Sequence, residues 1–347
     1  MSLKAALAVL VLILASSPAR SHADTPPQGL ETRLDAILAR GAPGVTVIVY
    51  RDGARLYRMD RGRIAPDARL PVASASKWMA AALVMTVVDE GKLSLDDPIG
   101  RRLPEYRGAA GEITLRQLLS YTAGQGGLLG MSDILQPSDL TLAESAARIA
   151  RRPLSDPPGS TFRYGGPSLQ VAGALVEQAT GRTWADLFQE RIALPLGLEA
   201  THWGHPLRPD LDPGGVTNPN LQGGVYTTAE DYGRFLGMIA GGGALGGRRV
   251  LSEASAAELE RVQTKGVPMA YRPPGLSDVG AYALGNWCES AGADGDCVLA
   301  SSPGAFGVYP WIDRRTGLYG LFFLKHQLPL VVDPIREARA LILSGAS

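Results

Sequence analysis

The chain has 347 residues with 34 basic and 34 acidic side chains, so its formal net charge is zero, and the electrostatic attraction behind sequence-independent nucleic-acid binding is absent. Hydrophobic residues make up 45% and charged residues 20%, the balance of a globular protein with a large core and not of a disordered or fibrous chain. Lys4, Lys77, Lys92, Lys265 and Lys325 are the only lysines, which makes a lysine inside a motif conspicuous.

The N-terminus reads as an export signal: Lys4, an apolar run from Ala5 to Ala15, then small residues at Ser21 and Ala23 before Asp24. The run is too short to span a bilayer, which takes ~20 apolar residues. The expectation is cleavage after Ala23 and a soluble periplasmic or secreted protein without stable membrane insertion. An oxidising compartment would let the only two cysteines, Cys288 and Cys297, pair around a short glycine-containing loop.

Helical spacing covers Leu30 to Leu38 and stops near Gly41. Two strands follow, Gly44 to Tyr50 and Arg55 to Met59, with Asp52-Gly53 as the hairpin turn. Ser76 to Val88 is helical and strongly apolar, with Gly91 as its stop. Further helices are expected at Leu115 to Leu119, Leu142 to Ile149, Leu169 to Gln178, Trp184 to Ile192 and Ala229 to Ile239, the last capped by Thr228. Strand patterns return at Ala281 to Trp287, Val308 to Ile312 and Leu318 to Leu324, with turns at Asp294-Gly295 and Arg315-Thr316-Gly317, and a final helix fits Pro334 to Leu343. The layout is α+β: an antiparallel sheet flanked by N- and C-terminal helices (24–91 and 268–347) with an inserted, mostly helical lobe (92–267), after a signal peptide (1–23).

There is no G-x-S-x-G elbow, phosphate-binding G-x-x-x-x-G-K, H-E-x-x-H or C-x-x-C. His202 and His205 lack the further ligands of a zinc site, so no metal is expected. The positive signal is Ser74-Ala75-Ser76-Lys77, an S-x-x-K at the mouth of the apolar helix. Side chains at i and i+3 share a helix face, so the Lys77 amine can help remove the Ser74 proton. The helix start adds N–H groups suited to an oxyanion.

The run Pro71 to Pro104 around this motif resembles the serine β-lactamase-related family of class C β-lactamases, DD-peptidases and family VIII esterases. Leu118 to Gly124 is similar to that family's L-L-x-H-T-S-G turn, and Pro158 to Tyr164 to its P-G-x-x-F-x-Y segment. Gly223 to Asp231 is similar to its G-G-L-x-S-T-A-x-D. The resemblance implies a β-lactamase/transpeptidase-like fold and a cofactor-free site between the two lobes. In it Ser74 is the nucleophile, Lys77 its partner, and Tyr164 a general base or proton shuttle driven toward phenolate by the neighbouring ammonium.

Two departures bear on substrate. The family's asparagine two places after the tyrosine is Gly166 here, a lost side-chain donor, and its third motif, K-T-G, H-x-G or W-x-G, aligns best with Ser302-Pro303-Gly304, which replaces a cation or aromatic with a hydroxyl. Gly304 still allows close backbone approach, and the Ala305 N–H joins that of Ser74 as the oxyanion hole. The expectation is an exported serine hydrolase forming an acyl-enzyme on a small ester or amide, with esterase activity favoured. The alternatives are a β-lactamase or D-amino-acid peptidase of the same fold, or a weakly active homologue that binds cell-wall fragments or a protein partner. The loops 125–140, 204–222 and 265–280 are expected to shape the pocket.

Overall fold

The structure is a computed structural model that describes residues 25–126, 140–293 and 296–345. The expected signal peptide, the Asp294-Gly295 turn and most of the 125–140 loop lie outside the described residues. No described helix is long and apolar enough to cross a membrane.

After helix α1 (Leu30–Ala39), strands β1 (Gly44–Arg51) and β2 (Ala54–Gly62) form the expected hairpin. Its turn places Asp52 at φ 50° and Gly53 at φ 79°, the left-handed pair that matches the twist of the flanking strands. The remaining strands of the main sheet come from the other end of the chain. They are β3 (Ala281–Tyr282), β4 (Trp287–Ala291), β5 (Cys297–Ser301), β6 (Tyr309–Asp313) and β7 (Leu318–Leu324). The order is β3-β4-β5-β6-β7-β1-β2, antiparallel throughout, so the sheet closes by pairing β7 with β1, Val45 opposite Leu324. Strands β1 and β7 are buried along almost their whole length, which is why both read as near-continuous apolar runs.

The chain between β2 and β3 supplies helices α2 (Ser76–Asp89), α3 (Leu115–Leu119), α4 (Leu142–Ala150), α5 (Ser168–Thr180) and α6 (Trp184–Phe188). Threonine caps start three of them: Thr114, Thr141 and Thr183 each accept a backbone N–H from the first turn. Helix α7 (Ala229–Ala240) starts in the same way, with Thr228 accepting from the Asp231 N–H. Although it falls inside the inserted segment, α7 packs on β1, β6 and β7 and so belongs with the sheet. Helices α8 (Glu253–Glu260) and α9 (Leu328–Ser344) complete the set, and α9 packs on α1.

Three local expectations are corrected. The stretch from Ala281 to Trp287 is a tight hairpin and not one strand, because Ala283 N–H bonds to Asn286 O and Gly285 adopts φ 77°. The last helix begins at Leu328 and runs through Pro334, with Pro329 in its first turn, where a missing N–H costs nothing. Helix α8 was not anticipated, although its cap Ser252, which accepts the Ser255 N–H, and Glu253 in its first turn are local signals; Asp89 at the end of α2 holds the same cap from a distance.

Cys288 on β4 and Cys297 on β5 are joined by a disulfide, with Cα atoms 5.5 Å apart. It ties together two strands whose ladder is interrupted by register shifts on either side of Ser290.

Candidate active site

Ser74 sits in a single 3-10 turn (Ala73–Ala75) that feeds directly into α2. From Pro71 through Val87 every residue is buried except Ser74, so the chain presents one hydroxyl to the outside of an otherwise sealed segment. Helix α2 is apolar on all sides because it runs through the interior between α5 and α8. The turn itself is strained: Ala73 is held at φ 46°, a left-handed conformation that costs a residue with a Cβ roughly 1–2 kcal/mol.

The surroundings hold that strain in place. Leu70–Pro71 pairs with Val225–Thr227, and Val72 N–H donates to Val225 O at 3.0 Å. Val225 N–H returns a bond to Ser76 Oγ at 3.0 Å, and the Tyr232 hydroxyl on α7 donates to Ala75 O at 2.7 Å. The Gly223-Gly224 motif is thereby zipped onto the Ser74 turn.

Lys77 Nζ lies 2.9 Å from Ser74 Oγ and 2.7 Å from the backbone oxygen of Gln222. The lysine is only 2% exposed and has no carboxylate partner, so burial disfavours its charged form and pulls the amine down to about 7. Near neutral pH a substantial fraction is therefore the free base. Tyr164, 4% exposed, places its ring face 4.9 Å from Lys77 Nζ and stacks on Trp287, centroids 5.0 Å apart. Burial pushes the Tyr164 phenol up from its ordinary value, only partly offset by the Ser74 hydroxyl. The expected drive toward phenolate is thus reversed: desolvation outweighs a lysine that itself sheds its charge. The geometry fits Lys77 as the proton acceptor and Tyr164 as a neutral hydroxyl.

The third motif approaches the turn from β5. A Cβ on Gly304 would lie 2.0 Å from Val72 O, so only glycine permits this contact. It brings the following peptide beside Ser74. The Ala305 carbonyl is held by Leu328 N–H at the start of α9, and neither Ser74 nor Ala305 has its N–H engaged by the backbone bonds of these turns. Both donors are available to an oxyanion.

Gly166 and Ser302 do not stand as open subsites. Gly166 has φ 82°, and a Cβ there would meet Gly126 O at 2.1 Å, so no side-chain donor can occupy the position. Ser302 is 3% exposed and turns its hydroxyl to Gly285 O at 3.4 Å and Ser74 O at 3.5 Å. It ties the strand to the Ser74 backbone instead of facing outward.

The motifs did not reveal Gln222, Tyr232 or Gly285 as parts of the site. Gly285 packs on the Lys77 backbone, Tyr232 holds Ala75, and the main-chain oxygen of Gln222 receives Lys77. The only available signal was the position of Gln222 immediately before Gly223-Gly224.

A family model described as Beta-lactamase matches residues 29–343. Esterase EstB of Burkholderia gladioli is 35% identical over 198 residues, 49% of this chain and 50% of the esterase, so the match spans half of that relative. Penicillin-binding protein 4 of Amycolatopsis lactamdurans is 30% identical over 269 residues, 68% of this chain and 70% of that protein. A solved beta-lactamase-type structure from Bacteroides dorei DSM 17855 superposes with a TM-score of 0.80 at 33% identity, covering 91% of this chain and 98% of the other.

Proposed function

We propose, from the premise that this chain belongs to the beta-lactamase family, that it is an exported serine hydrolase that cleaves small esters through an acyl-enzyme on Ser74. The observation that carries the reading is the buried Lys77 amine, 2.9 Å from the Ser74 hydroxyl and lowered to about 7. Its free base takes the Ser74 proton as Oγ attacks the carbonyl carbon. The oxyanion forms between the N–H groups of Ser74 and Ala305. As it collapses, the carbon–oxygen bond to the leaving group breaks, and the alcohol departs with the proton returned by Lys77 through the Tyr164 hydroxyl. Water then attacks the acyl-Ser74 carbonyl, gives its proton to the same pair, and releases the acid and free Ser74.

Ester hydrolysis is favoured over turnover of carboxylate-bearing β-lactams or peptides because the Ser302 position supplies no cation and its hydroxyl is turned to backbone. The esterase relative supports the same choice. Export rests on the N-terminal segment 1–23 and agrees with the cysteine pair. The test is hydrolysis of p-nitrophenyl butyrate by wild type and by Ser74→Ala. Turnover is expected for the first and loss of at least a thousandfold for the second. Retained turnover in a folded Ser74→Ala protein contradicts the reading.

A further inference from the structure

Of the five tryptophans, Trp287 is, among the described residues, the one whose ring meets that of Tyr164, stacked with centroids 5.0 Å apart. It is 1% exposed and held from several sides. Tyr282 and Phe162 abut it edge-on, with centroids 4.8 and 5.6 Å away, and its backbone on β4 pairs with Tyr282 on β3 and Ser301 on β5. The indole is therefore fixed, and with it one side of Tyr164.

The Trp287 indole N–H is buried and makes no hydrogen bond, as is true of the other four indoles. What sets Trp287 apart is the group beside it. Burial pushes the Tyr164 phenol up, and the groups that counter this are the Ser74 hydroxyl and the Trp287 indole. The N–H thus lies near the Tyr164 oxygen without closing a bond on it in the resting protein, a looseness that catalytic hydrogen bonds commonly show before the transition state.

An indole N–H is a donor and nothing else. Beside a phenol it can address only a lone pair of the oxygen, so the phenol's own hydrogen has to point elsewhere, toward Ser74 and the group that Ser74 attacks. Tyr164 gives that hydrogen to the departing alkoxide and takes one from the Lys77 ammonium, and negative charge gathers on its oxygen between the two transfers. A fixed donor there tightens as the charge develops, while the indole keeps its own proton throughout. We propose that Trp287 is a positioning residue that aims the Tyr164 hydroxyl at the leaving-group oxygen and so fits the site to esters of ordinary alkyl alcohols. An alkoxide is too basic to leave unprotonated near neutral pH, whereas p-nitrophenolate leaves without a proton donor. This inference rests on the acyl-enzyme function proposed above and concerns its alcohol side.

The experiment compares kcat/KM for ethyl butyrate with that for p-nitrophenyl butyrate, two esters that form the same acyl-enzyme, in wild type, Trp287→Phe and Tyr164→Phe. Trp287→Phe keeps a ring in the stack and removes the N–H. It is expected to lose about tenfold more on ethyl butyrate than on p-nitrophenyl butyrate, with the same selectivity, larger, in Tyr164→Phe. Damage to packing alone slows both esters alike. Equal losses in Trp287→Phe, or wild-type rates on both esters, overturn the proposal while Tyr164→Phe remains selective; equal losses in Tyr164→Phe as well overturn the proton route on which it rests. If Trp287→Phe does not fold, 3-benzothienylalanine at position 287, which has the same shape with sulfur in place of N–H, is expected to show the selective loss, and equal losses there overturn the proposal.

Discussion

Gly285 rests against the backbone of Lys77 so closely that a methyl group on its α-carbon would lie 2.5 Å from the lysine carbonyl and 2.8 Å from the Ala81 methyl. The hairpin between β3 and β4 thus sets the depth at which α2 delivers its lysine. Gly285→Ala has to push that helix turn away and also carries a side chain at φ 77°. The expected cost is about 1–3 kcal/mol in stability, together with at least a tenfold fall in kcat/KM, because small displacements of a catalytic group are costly. Thermal unfolding and p-nitrophenyl butyrate kinetics on one preparation check both; full activity would show that the contact does not position Lys77.

The lowered Lys77 amine makes a prediction about pH. As pH falls through about 7 the amine becomes charged and can no longer accept the Ser74 proton, so kcat/KM should fall on the acid side of about 7 and level off above it. A flat profile from pH 5 to 9 would contradict Lys77 as the base.

The same shift has a stability signature. In the unfolded chain Lys77 holds its proton up to its ordinary value of 10.5, whereas the folded protein releases it near 7. Between those values the unfolded state binds more protons, so stability should rise with pH across that window and gain nothing from Lys77 above it. Lys77→Met removes the penalty together with two hydrogen bonds. At pH 7 the variant is expected to be inactive yet more stable by about 2–4 kcal/mol, measured by denaturant unfolding.

Installing the family's usual lysine should not create a β-lactamase here. Ser302→Lys forces a long cation into a site that is 3% exposed and lined by the carbonyls of Gly285 and Ser74. A loss of about 2–3 kcal/mol is expected from overpacking. The ratio of kcat/KM for nitrocefin to that for p-nitrophenyl butyrate should not rise; a tenfold rise in a folded variant would show that the position faces substrate after all.

The disulfide closes a short loop, Cys288 to Cys297, and the chain-entropy relation gives it about 2.5–3 kcal/mol. Exported, unreduced protein should show the two cysteines linked in a peptide map, and replacing both by serine should lower stability by that amount. Two alkylatable thiols in the native exported protein would contradict both the pairing and the compartment.

Much of the arrangement was legible because it is local. The Asp52-Gly53 turn, the threonine-capped helices and Ser74 with Lys77 follow from spacing and from short-range hydrogen bonds. The parts that were not legible depend on contacts distant in sequence. The fit of Gly285 on Lys77 and the tie from Ser302 to Ser74 exist only after the β3–β4 hairpin, β5 and α2 have docked, and the turning of Gly166 against Gly126 joins two loops that are distant in sequence. The direction of the Tyr164 shift depends on the same long-range packing: a phenol beside an ammonium favours phenolate, but burial disfavours both the ammonium and the phenolate.

The central claim is that Ser74 is the residue that becomes acylated, and a fluorophosphonate probe tests it directly. After incubation with the probe at pH 8, intact-mass and peptide-mapping mass spectrometry should show one adduct per chain, on the peptide that carries Ser74, and none on Ser74→Ala. Labelling at Ser76, Ser120 or another residue, or an equal adduct on Ser74→Ala, would contradict the account.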